Sequence, residues 1–149
     1  MKKGLSVAVM LWAALPGLHA AQTDAGAAQR NWFTVSGDTG QPGVDTVQVD
    51  PSALKLDGDV RTMPVRVSRA QERRNWDEVP YRSYEAQVVI DCRSRKAHYL
   101  ESTFYLEPLW RGNPHMVTDY RQKPQPMLFR GMTPNPTDRI IRAACRPAG

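Results

Sequence analysis

The stretch Tyr81-Arg82-Ser83-Tyr84-Glu85-Ala86-Gln87-Val88-Val89-Ile90-Asp91-Cys92 decides the fold. Tyr84, Ala86, Val88, Ile90 and Cys92 share one side, while Ser83, Glu85, Gln87 and Asp91 share the other. A period of two is the mark of a strand with one buried face. Arg93-Ser94-Arg95 then turns the chain, and Lys96 to Leu106 returns as an antiparallel partner. Both faces of that partner mix polar and apolar residues, which suits a sheet partly covered on its second side.

Working back toward the N-terminus, Val60 to Ala70 is a further strand, with Met63, Val65 and Val67 on one face and Thr62, Arg66 and Ser68 on the other. Pro64 has no N–H for a ladder, so this strand is expected at a sheet edge or bulged. Asp57-Gly58-Asp59 reads as its hairpin turn, fed by a short strand from Leu54 to Leu56. Thr46 to Asp50 alternates, and Asn31 to Val35 is aromatic and β-branched, so both are strands. Gln71 to Pro80 is charged and closed by a proline, which predicts an exposed loop.

Beyond Glu107 the pattern weakens. Met116-Val117 is a last short strand, and Lys123 to Pro136 carries four prolines and little periodicity. Then the period changes. Asn135 caps, Pro136 suits the first helical position, and Asp138 favours the positive end of the helix dipole. The helix Thr137 to Cys145 puts Ile141, Ala144 and Cys145 on one face, with Ile140 beside them. The expected fold is therefore α+β: a single antiparallel sheet of about six strands with a short C-terminal helix.

The 149 residues suffice for one domain, and 12 prolines with 10 glycines argue against a helical bundle. Hydrophobic residues at 41% exclude disorder throughout, and no apolar run is long enough to span a bilayer as a helix. Met1-Lys2-Lys3, an apolar stretch to Leu15, and Leu18-His19-Ala20 form the layout of a secretory signal peptide. Residues 1–20 are expected to be removed, 21–30 to be a flexible leader, and 31–149 to be the domain. Loss of Lys2 and Lys3 lowers the formal charge from +5 to +3. No cysteine lies at the cut, so an N-terminal lipid anchor is not expected. The exported protein is then periplasmic or extracellular.

Export changes how Cys92 and Cys145 read. An even pair in an oxidising compartment is most simply a disulfide, two free thiols or a redox pair being the alternatives. The bond would staple the helix onto one face of the sheet.

Candidate chemistry is sparse. His98 and His115 lack neighbours at metal-ligand spacing, and Asp57-Gly58-Asp59 lacks the rest of a calcium loop. No nucleophile elbow or phosphate-binding glycine loop is present, so no enzyme, metal or cofactor is expected. One feature carries functional weight. Arg61, Arg66, Arg69, Arg73 and Arg74 fall close together, opposed by Glu72 alone, with Trp76 and Tyr81 flanking. Arg66, Arg69, Arg73, Arg74, Trp76 and Tyr81 form a candidate binding surface, because exposed aromatics among arginines are common at protein interfaces. Arginine outnumbers lysine 15 to 5 over the whole chain, so compositional bias is the competing explanation. Export disfavours nucleic acid as a partner.

The chain resembles the surface-adhesin E family of exported bacterial proteins. The resemblance rests on Trp32, Val49-Asp50-Pro51-Ser52, Tyr81-Arg82-Ser83, Asp91-Cys92-Arg93 with Arg95, the strand through Tyr105, and Cys145. It covers about Asn31 to Cys145. It implies a multi-stranded antiparallel sheet with a C-terminal helix tied on by a disulfide. It also implies a non-catalytic binding module whose partner is a protein, either a host matrix or serum protein or one of the cell envelope. The alternative is a periplasmic structural or interaction protein with no adhesin role. Oligomeric state stays open, a dimer included.

Overall fold

The computed structural model describes residues 29–146. The expected signal peptide, most of the leader and the last three residues lie outside this range. Eight strands run in chain order: β1 Phe33–Ser36, β2 Thr46–Val49, β3 Lys55–Asp57, β4 Val60–Arg74, β5 Pro80–Asp91, β6 Lys96–Tyr105, β7 Met116–Asp119 and β8 Gln125–Pro126. A helix, α1 Thr137–Ala144, follows. All pairings are antiparallel, in the order β1-β2-β4-β5-β6-β7. The count exceeds the expected six because β2 and β3 share one edge of β4, and β7 and β8 share one edge of β6. The sheet is thus six rows wide and open.

Pro64 sits in the central strand, not at an edge. Its carbonyl accepts the Asp50 N–H, so its missing N–H points to the same side. That side is where the chain leaves β2 through the 3-10 turn Pro51–Ala53 before re-entering as β3. The proline therefore interrupts no ladder bond. The segment from Gln71 to Arg74 is also strand rather than loop. An irregularity between Ser68 and Arg73 resets the register, so that Arg73 and Arg74 pair with Tyr81 and Pro80.

The inward row of β5 is as the alternation requires: Tyr84, Ala86, Val88 and Ile90 are buried. Val65 and Val67 of β4, Val47 of β2 and Tyr99 and Phe104 of β6 complete the inner face. Each buried valine, isoleucine or phenylalanine among them contributes about 1.5–3 kcal/mol. The register shift opposite Gln87/Val88 places Leu100 as an extra residue, which keeps Tyr99 and Ser102 both buried and explains the mixed pattern of β6.

The outer face is covered in part. The turn Pro108–Trp110 lies over β4 and β5, with Leu109 and Trp110 both in the left-handed region. Such backbone costs about 1–3 kcal/mol per residue and must be held. Ser83 Oγ donates to the Glu107 carbonyl and accepts the Trp110 N–H, while Ser68 Oγ accepts the Leu109 N–H.

α1 differs at both ends from the expectation: Pro136 is the N-cap and not the first helical residue, the Asn135 Oδ1 accepting the Thr137 N–H across it, and Cys145 is the C-cap after Ala144. Ile140, Ile141 and Ala144 are buried against the sheet. Cys92 and Cys145 are bonded, with Cα atoms 5.4 Å apart. The helix is thereby fixed to the end of the inner face where β5 finishes.

Candidate functional site

The opposite end of the inner face is open. There a cavity of about 470 Å³ lies between the tip of the β4–β5 hairpin and the segment from Pro126 to Arg130. Its volume is in the range of small-ligand sites. Tyr81, Tyr84, Tyr99 and Phe104 line it, and Trp76 stands at its mouth, 47% exposed. The rings interlock: Tyr81 meets Phe104 at 5.2 Å and Tyr84 at 5.5 Å, and Trp76 meets Tyr99 at 5.8 Å and Tyr120 at 5.7 Å. The hydroxyls of Tyr84 and Tyr99 are 2.7 Å apart. Burial raises the pKa of both, and pushes Tyr120 up to about 12, so the floor carries neutral hydroxyls through the physiological range.

Over this floor stand the guanidinium groups of Arg69, Arg73, Arg74 and Arg130, against a single lining carboxylate, Glu78. Arg69 follows Met63, Val65 and Val67 by the period of two, which points it inward; it is 4% exposed. Its Nη2 donates to the Arg130 carbonyl at 3.2 Å and lies 3.4 Å from Asp45. Its Nε is buried with no hydrogen-bond partner. The Nη2 atoms of Arg69 and Arg73 are each 3.5 Å from the Cβ position of Gly131, so two cationic heads converge beside one backbone turn. Gly131 has φ +76, a conformation that favours glycine. Among the described residues no carboxylate lies within 4.0 Å of Arg73 or Arg130.

Asn75 shapes the hairpin tip. Its Oδ1 accepts the N–H groups of Asp77 and Val79, which fixes the turn and turns the side chain toward the cavity it lines. Its Nδ2 is buried beside the Tyr120 hydroxyl.

Of the residues singled out from the sequence, Arg69, Arg73, Arg74, Trp76 and Tyr81 all line this cavity. Arg66 does not. It projects from the outer face, sandwiched between the Trp32 and Trp110 rings at 4.4 and 3.9 Å, with its Nε donating to Gln48. Its parity in β4, opposite to that of Arg69, separates the two. Arg61 turns back onto the Gly58 carbonyl at the other hairpin. Asn75, Tyr84, Tyr99, Phe104 and Arg130 complete the site. The alternation of β5 already pointed Tyr84 inward; Asn75 and Arg130 had no periodic signal. His115 bonds the Pro80 carbonyl, and no group of three or more metal-ligating side chains forms among the described residues.

A second groove, about 280 Å³, lies between α1 and the β1–β2 side, lined by Phe33, Val35, Leu54, Met63 and Ile140 among others. It is almost wholly apolar.

The class the fold defines is a small open antiparallel sheet stapled to a C-terminal helix, with an arginine–aromatic cavity at the other end of its inner face. The family model for Surface-adhesin protein E matches residues 32–146, most of the chain, and the protein belongs to that family. A search of curated proteins finds no match. Among the described residues no helix is long and apolar enough to cross a membrane. Family membership and the disulfide point to an exported or surface protein, and to binding of a protein rather than catalysis.

Proposed function

We propose that this chain is an exported, non-catalytic binding module that holds a protein partner at the arginine–aromatic cavity. One observation carries the reading. The residues Arg69, Arg73, Arg74, Trp76 and Tyr81, scattered over a hairpin, line a single cavity. Arg73 and Arg130 bring charge to this cavity with no carboxylate within 4.0 Å among the described residues, which leaves that charge for a partner to meet. In this reading residues 1–20 are a cleaved signal peptide, 21–30 a leader and 31–149 the domain. The partner is a host matrix or serum protein, or a protein of the cell envelope.

The test is capture. The tagged, exported chain is compared with its Arg73→Gln and Trp76→Ala variants for binding to host matrix and serum proteins and to an envelope extract. Loss of a captured partner in both variants supports the reading. Unchanged capture sinks it. Protease added to intact cells separates surface display, where the protein is cleaved, from a periplasmic role, where it is protected.

A further inference from the structure

We infer that the cavity recognises a carboxylate carried on a flat apolar body, such as the free end of a polypeptide that finishes in an aromatic residue, or a free aromatic acid. This rests on the binding reading of the same cavity and names what is bound there.

The argument begins with charge. Four guanidinium groups face one carboxylate in the lining, so the site attracts an anion. Arg69 is the deepest of them; its Nη2 is held by Asp45 and the Arg130 carbonyl, so it contributes a fixed cation at the base of the cavity. A guanidinium that no carboxylate of the described residues holds, as with Arg73 and Arg130, offers an edge that matches the two oxygens of a carboxylate. Arg73, converging on the same spot beside Gly131, supplies a second cation without a carboxylate of its own.

The floor decides what the anion is attached to. Tyr81, Tyr84, Tyr99 and Phe104 offer ring faces and edges, and Trp76 is exposed above them. Such a surface packs a flat apolar group. Depth decides between anions. Arg69 is 4% exposed, so the ligand must shed its water to reach it, which a carboxylate monoanion does at lower cost than a phosphate dianion. The neutral tyrosine hydroxyls add no competing negative charge.

The experiment is calorimetric titration of the intact disulfide-bonded chain with N-acetyl-tryptophan, its amide, 2-naphthoate and phenyl phosphate. The acid is expected to bind and the amide to bind about tenfold or more weakly, the loss of a charge-assisted pair. Arg73→Gln should weaken the acid to a similar degree. Arg93→Gln removes the same charge from the far end and should change nothing; its Arg93 is exposed and paired with Asp59. If 2-naphthoate binds more tightly than N-acetyl-tryptophan, which stands for a chain end, the ligand is a free acid; the reverse assigns a chain end. Equal binding of acid and amide overturns the inference, as does tighter binding of phenyl phosphate. Failure of every probe, with partner capture still lost in Arg73→Gln, removes the carboxylate and leaves the binding reading standing. Failure of both removes the reading itself.

Discussion

The two ends of one sheet face are built for opposite purposes. At the Cys92 end, α1 closes the face with Ile140, Ile141 and Ala144 and is bonded in place. At the Tyr81 end, about 36 Å away along β5 at ~3.3 Å per residue, the face stays open and its apolar residues give way to tyrosines and arginines. The stapled end spends its side chains on burial. The open end keeps cations that burial alone would penalise. A helix of eight residues has little stability of its own, so the bond is what lets so short an element close a sheet.

Breaking the staple should have the largest effect. The Cys92→Ser/Cys145→Ser double variant is expected to lose about 2–5 kcal/mol in denaturant unfolding. Hydrogen exchange should speed first at Ile140 and Ile141, with the Tyr84–Tyr99 end following later. If both ends loosen together, the division between them is wrong. Ser83→Ala attacks the open end from its outer side, by freeing the Trp110 N–H and the Glu107 carbonyl; urea unfolding should show a loss of about 1–3 kcal/mol.

Asp50 sharpens the comparison through pH. Its side chain caps the turn Pro51–Ala53 beside the apolar groove, and Asn31 also donates to it. The Ser52 hydroxyl, above all, holds its carboxyl below the ordinary 3.8. A lowered pKa in the folded state means stability that is full above the ordinary value and is lost as pH falls through the folded one. Asp50→Asn should therefore cost about 1 kcal/mol at neutral pH, and melting curves should show the two proteins converging below about pH 4. The smallest effect on stability belongs to Arg73→Gln, within about 0.5 kcal/mol by thermal melting. A larger loss would make Arg73 a structural residue and blur the contrast between the ends.

Much of this was legible in the sequence. The alternation of β5 and of Met63, Val65 and Val67 gave the inner face, and the change of period after Asn135 gave α1. The same alternation carried to Arg69 points it inward, yet an arginine in a charged run reads as solvent-facing. Grouping it with Arg66 ignored that parity. Pro64 misled because edge placement is only one way to spare a ladder bond; a break between β2 and β3 is another. The segment from Gln125 to Met132 was opaque. It follows the inner face by single contacts, such as the Met127 N–H to the Ala97 carbonyl, and leaves no period to read.

The measurement that bears most directly on the open end is an NMR titration of the isotope-labelled chain with N-acetyl-tryptophan. The expected result is shifts concentrated at the Asn75 side-chain amide, the Trp76 indole and the Nε groups of Arg69 and Arg73, with Ile140 to Cys145 unmoved. Shifts centred on Phe33, Val35 and Ile140, or no shifts at all, would contradict it.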